Sequence, residues 1–194
     1  VKTVRIGSRA LTFHPELILT KKYEKMLELF DRLYDNGIQL AWMAHFSTPR
    51  EILNASTVAA IRRLRKHHVT MKSQSPVMRH ISIFTDESGK VDVVRSAQNW
   101  IDLGNIMAMM GIGFHSMYCA RPTGEHHYFT TPLAELSKVF DKVYRTLPSI
   151  NRPSRHLSMT SSAGKISVLG TAEVNGETVF ALKFTEGRNM EWLD

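Results

Sequence analysis

Cysteine is almost absent from this chain. Its one thiol, Cys119, excludes an internal disulfide framework and any multi-cysteine metal centre built by the chain alone. Sparse cysteine suits a cytoplasmic setting. No run of about 18 apolar residues occurs, which argues against a membrane-spanning helix. The first residues, VKTVRIGSRA, lack the apolar core of a secretory signal and lack an initiator methionine. They enter strand-like sequence at once, as expected of a piece of a longer chain. Gly-x-Gly-x-x-Gly and Walker loops are missing, and no nucleophile–base pair stands out. There is no internal repeat, low-complexity tract or linker, so the 194 residues read as one domain.

What is present balances 43% hydrophobic against 22% charged residues, the proportions of an ordinary globular protein. The formal charge is +7. Such an excess suits nucleic acid, an anionic small molecule or plain solubility. Much of it lies in RRLRKHH, Arg62 to His68. No aromatics interleave there to stack bases, so this run reads as a solvated helix face and nucleic acid is not the expected partner.

Apolar periodicity alternates between strand and helix. Strands are expected at residues 1–7, 38–46, 69–74 and 112–120. Helices are expected over 20–37, in the second half of 47–68, over 93–111 and from Thr131 and Pro132 to Leu147. Their inner stripes include Leu27 and Phe30; Val58, Ile61 and Leu64; Val94, Trp100 and Gly104; and Leu136, Phe140 and Val143. Asn175-Gly176 marks a type I′ hairpin. The order predicts an α/β fold with parallel strands and covering helices, either an open sheet or part of a barrel. Residues 1–150 form that α/β portion, and residues 151–194 form a β-rich C-terminal segment ending in a hairpin.

In both architectures the C-terminal strand ends carry the site. Polar residues stand there: Ser8 and Arg9, His45, Gln74, Tyr118 and Arg121. Singly, each has a plain alternative. Alone, His45 reads as a satisfied core histidine, and Gln74 reads equally as a locally bonded amide. The pair His126-His127 has no third ligand at good spacing, so no metal site is expected. In SSAGKISVLG, small residues precede Lys165. Read alone, that lysine points at water from the start of a strand.

Taken in order, VRIGSR, AHFSTPREI, KSQSPVMR, MYCARPTGEHHYFTTP and SSAGKISVLG resemble the C-terminal two-thirds of the lysine 2,3-aminomutase family. These are radical S-adenosylmethionine (SAM) enzymes that also use pyridoxal phosphate (PLP). The resemblance runs from Val4 to about Phe184 and implies a partial (β/α)6 TIM-type barrel, of which this chain supplies the third to sixth strands. It implies that Lys165 forms the Schiff base with PLP, that Tyr118 lies beside the PLP, and that His45 and Gln74 line the SAM pocket. Ser8 and Arg9 would face the same centre. PLP carries the amine migration, and a [4Fe-4S] cluster cleaves SAM to the radical that starts it. A lysine that attacks an aldehyde must be neutral, so a desolvated site is expected.

The chain departs from the family pattern. The CxxxCxxC motif is absent, so the cluster ligands would lie outside this chain. Lysine-specific members hold the substrate ammonium with two aspartates, and the matching positions here are Arg121 and Ser158. A guanidinium repels an ammonium and pairs bidentately with a carboxylate. An acidic or neutral amino-acid substrate is therefore expected. The rival readings are an inert barrel fragment serving oligomerisation or regulation, and a basic nucleic-acid-binding domain. The resemblance leaves the first strand with an uncovered apolar edge. Another chain or a swapped element is expected to cover it, hence a homo-oligomer.

Overall fold

The computed structural model describes residues 1–121, 124–162 and 164–187. Strands β1 (Thr3–Ser8), β2 (Gln39–Ala44), β3 (Thr70–Val77), β4 (Ile112–Cys119) and β5 (Leu157–Thr160) are parallel neighbours in chain order. Strands β6 (Gly164–Val174) and β7 (Glu177–Gly187) extend the sheet antiparallel. The fold is α/β, with one mostly parallel seven-stranded sheet curled into a half-barrel. The sheet runs unbroken past residue 150, because β5 pairs with β4 through Ser158 and Tyr118.

The helices are α1 (Ala10–Phe13), α2 (Pro15–Leu19), α3 (Glu24–Asp35), α4 (Ala55–Lys66), α5 (Val93–Met109), α6 (His126–Phe129) and α7 (Leu133–Thr146). Each predicted stripe supplies buried residues. Leu27 and Phe30 of α3, Ile61 and Leu64 of α4, Trp100 and Met107 of α5, and Val139 and Val143 of α7 are all buried in one core on the convex side of the sheet. Not every stripe residue is buried: Val94, in the first turn of α5, is 64% exposed, and Met26 and Tyr34, which share the expected stripe of α3, are exposed as well. Gly104 lets α5 approach closely, since a Cβ there would meet Leu147 Cδ1 at 2.9 Å.

Three expectations shift. The alternation predicts four parallel strands and the structure has five. The fifth is only four residues long, so its side-chain pattern carried too little signal and backbone pairing decides it. Thr131 does not cap the fourth predicted helix: Pro132 takes the N-cap position and α7 begins at Leu133. The Thr131 hydroxyl is instead buried with no hydrogen-bond partner among the described residues. In RRLRKHH, three of the basic groups are tied to neighbouring helices. Arg63 pairs with Glu24, Arg65 Nη1 donates to the Met110 carbonyl at 3.1 Å, and His67 Nδ1 lies 2.9 Å from the Asp31 carboxylate. The hairpin turn is as expected, with Asn175 at φ 52° and Gly176 at φ 82°, both in the left-handed region that a type I′ turn requires.

β1 is an edge strand, hydrogen-bonded only to β2 among the described residues. No helix among them is long and apolar enough to cross a membrane.

Candidate active site

Parallel strands put all their C-terminal ends on one side of the sheet, and strand alternation then sorts the side chains. On β3, Met71, Ser73, Ser75 and Val77 are buried toward the helices, while Lys72, Gln74 and Pro76 face the concave side. On β4, Phe114 and Met117 are buried on the convex side. Between them the register with β3 slips, so that Ser73 opposes Phe114 and Gln74 opposes Ser116. His115 is the extra residue of this bulge. The bulge lets both His115 and Ser116 face the concavity and restores the alternation that carries Tyr118 there.

Register also explains the spacing between Ser158 and Lys165. Ser158 lies opposite Tyr118 on β4 and Ser167 on β6, and Thr160 lies opposite Lys165. The β5–β6 hairpin therefore sets Ser158 and Lys165 on one face. Its turn is closed by the Ser161 N–H, which donates to the Gly164 carbonyl at 2.8 Å, and Gly164 has φ 148°. Ser161 and Gly164 thus serve a tight turn. Ala163, in the middle of the small-residue run, lies outside the described residues. The Thr185 hydroxyl of β7 donates to the Lys165 carbonyl at 3.3 Å.

These elements enclose a cleft of about 610 Å³. His45, Gln74, Tyr118, Arg121, Ser158 and Lys165 all line it. His45 is held by the loop after β2. Thr12 Oγ1 donates to its carbonyl at 2.9 Å, and the Glu51 carboxylate accepts the N–H groups of Ser47 and Thr48. Gln74 Oε1 accepts from Arg5 Nη2 at 2.7 Å, so a strand-β1 guanidinium orients the amide.

Ser8 and Arg9 are not in the lining. The Ser8 hydroxyl accepts the Ala10 N–H at 3.1 Å, and the Arg9 guanidinium lies 4.6 Å from the centre of the Phe13 ring. Both serve the turn into α1, although the Arg9 charge is felt by His45 and Tyr118. The rings of His126 and His127 lie together, with centroids 3.8 Å apart. Among the described residues, no three His, Cys, Asp or Glu side chains gather to hold a metal ion.

The lining also includes Arg5, Pro76, Met78, Ser116, Ala120 and Thr160, none of which the sequence reading assigned to the site. Period-two steps from Gln74, Tyr118 and Ser158 point to most of them. A second lobe of about 280 Å³ shares Gln74, Ser116, Ser158 and Lys165 and adds His115, Ser167 and Thr185. No Asp or Glu occurs among the described residues lining either lobe. The whole concavity is thus cationic and hydroxyl-rich, a setting for an anionic ligand.

Compared with models of known families and with curated proteins, the chain matches none of them.

The electrostatics follow from partial burial in this field. Burial pushes the Tyr118 hydroxyl above its usual range, with Arg121 and Arg9 pulling it back in part. Tyr118 is therefore a neutral phenol whose ring can lie against a planar ligand. Burial pushes the Cys119 thiol up to about 11, so it stays protonated at neutral pH. Lys165 lines the cleft and is exposed, and the desolvated surroundings expected for it are not supplied by the described residues alone.

His45 is lowered from its ordinary value of 6.5 by burial and then by Arg9. His115 is lowered by burial and then by Lys72, Arg5 and Lys165. A lowered folded-state value means that the unfolded chain binds more protons just below pH 6.5, so stability rises with pH there. The urea midpoint is expected to fall between about pH 8 and about pH 5. Replacing both residues, His45→Gln with His115→Gln, should flatten that dependence. An equal slope in the double variant would remove them as its cause.

Proposed function

We propose that this chain is the C-terminal part of a radical SAM, PLP-dependent amino-acid 2,3-aminomutase acting on an acidic or neutral amino acid. Its five parallel strands would then belong to a partial (β/α)6 barrel. The observation that carries the reading is convergence: Lys165, Tyr118, Arg121 and Ser158 meet with His45 and Gln74 in one cleft that has no carboxylate among its described lining residues. A cleft of about 610 Å³ suits a cofactor-sized ligand.

The donor set fits PLP. Lys165 Nζ would anchor it, the Tyr118 ring would lie beside it, and the cationic lining would compensate its phosphate. When bound, PLP supplies the π-system through which the amine migrates, and SAM supplies the hydrogen-abstracting radical. Arg121 follows Tyr118 on the cleft wall and holds a substrate carboxylate bidentately. Closing the cleft over a ligand also takes the exposed Lys165 out of water.

Adding PLP to the chain is expected to give an imine band at longer wavelength than that of free PLP, and a spectrum equal to that of free PLP overturns the reading. Substrate class is tested with the cluster-bearing segment supplied. Arg121→Asp should raise the KM for an acidic amino acid about tenfold or more. An unchanged KM would remove Arg121 from substrate recognition. The exposure of Lys165 favours a second reading, an inert barrel module, which a spectrum equal to that of free PLP would support.

A further inference from the structure

The β6–β7 hairpin leaves the body of the protein. β5 pairs with β6 only as far as Val168, and beyond Gly170 the two strands pair only with each other among the described residues. Residues 171–179 are exposed on both faces. Apolar side chains stand out along this arm, with Val174 50% and Leu182 47% exposed. A two-stranded ribbon with such faces is marginal in water. Its outer strand, β7, is the sheet's other edge and presents a row of backbone donors and acceptors that no described strand pairs.

The strand is also self-complementary in charge. Between Glu177 and Phe184, only Glu177 and Lys183 are charged. They lie three residues to either side of Phe180. If β7 pairs antiparallel with β7 of a second copy, a register centred on Phe180 sets each Glu177 opposite Lys183 of the other copy. Thr178 then faces Leu182, Val179 faces Ala181, and the two Phe180 rings meet at the axis. Slipping the register by two residues sets Glu177 opposite Ala181 or Thr185 and loses both ion pairs. The β6–β7 ladder shifts register twice: opposite Leu182 and Ala181 the extra residue is Leu169 of β6, so β7 itself stays regular from Glu177 to Phe184, and the extra residue on β7 is Thr185.

We infer that β7 is a docking edge for a second copy of this chain, joined across a two-fold axis at Phe180 into a continuous intermolecular sheet. Isologous pairing of this kind closes on itself and leaves no open edge at β7. The cleft stays outside the contact, so this dimer does not depend on the aminomutase reading.

Charge reversal tests it by sedimentation. The wild-type chain is expected to be a dimer at about 100 µM. Each single reversal, Glu177→Lys or Lys183→Glu, sets like charges opposite at both ends and should weaken association about tenfold or more. An equimolar mixture of the two singles should recover the dimer, because each supplies what the other needs. The double reversal should recover it too. A monomeric wild type, singles that associate as the wild type does, or a mixture that stays monomeric would each overturn the assignment. Recovery in the mixture also shows that both variants are folded. Association through the β1 edge would appear as singles that remain dimeric.

Discussion

Lys165→Ala is expected to abolish the imine band, at longer wavelength than free PLP, that stoichiometric PLP gives with the wild-type chain. The substitution removes the one lysine among the described residues of the cleft lining and leaves the backbone around it in place. The Ser161–Gly164 turn and the Thr185 contact to the residue 165 carbonyl involve other side chains and backbone. The fold should therefore survive, and circular dichroism should not change. Exposed lysines elsewhere react with aldehydes weakly, so they contribute equally to both proteins only at large excess. The decisive comparison is at one equivalent, where the difference between anchored and random attachment is largest. An equal band in the alanine variant would take Lys165 out of its role and leave the cleft as an anion site of another kind.

The second large effect is on stability. Trp100 is fully buried on α5, and its ring stacks on Phe114 of β4 with centroids 6.0 Å apart. Phe114 immediately precedes the His115 bulge, so this contact braces β4 from behind where the strand turns two successive side chains into the cleft. Trp100→Ala should cost about 3–5 kcal/mol, a large part of the total stability of a single domain. Trp100→Phe should cost less, about 1–2 kcal/mol, because the indole Nε1 has no hydrogen-bond partner among the described residues and its loss leaves nothing unpaired. Urea denaturation of the three proteins measures both. A cost below about 1 kcal/mol for alanine would contradict this packing. A bound ligand in the cleft should rescue part of the loss by mass action.

Much of the architecture was legible in the linear order of residues. Long amphipathic stretches announce their helices because burial of one face repeats every turn, as Leu27 and Phe30 show in α3. Asn175-Gly176 announces its turn because few other dipeptides tolerate two left-handed residues in a row. Ser8 and Arg9 stand outside the described lining for a physical reason. They stand at a strand end, yet the chain bends at once into α1, and the bend uses the Ser8 hydroxyl and stacks Arg9 on Phe13. A strand-end position fixes which side of the sheet a residue reaches, but not what its side chain bonds.

The sequence alone determined the alternation of strand and helix, the basic balance, the single thiol and the order of the polar strand-end residues. These depend on composition and on contacts a few residues apart. Only the tertiary structure decided that β5 is a fifth parallel strand, that His115 and Ser116 share the concave face, and that no carboxylate reaches the described lining. Those facts depend on register between strands far apart in the chain. One extra residue at a bulge changes which side chains meet, and nothing local in the sequence records it.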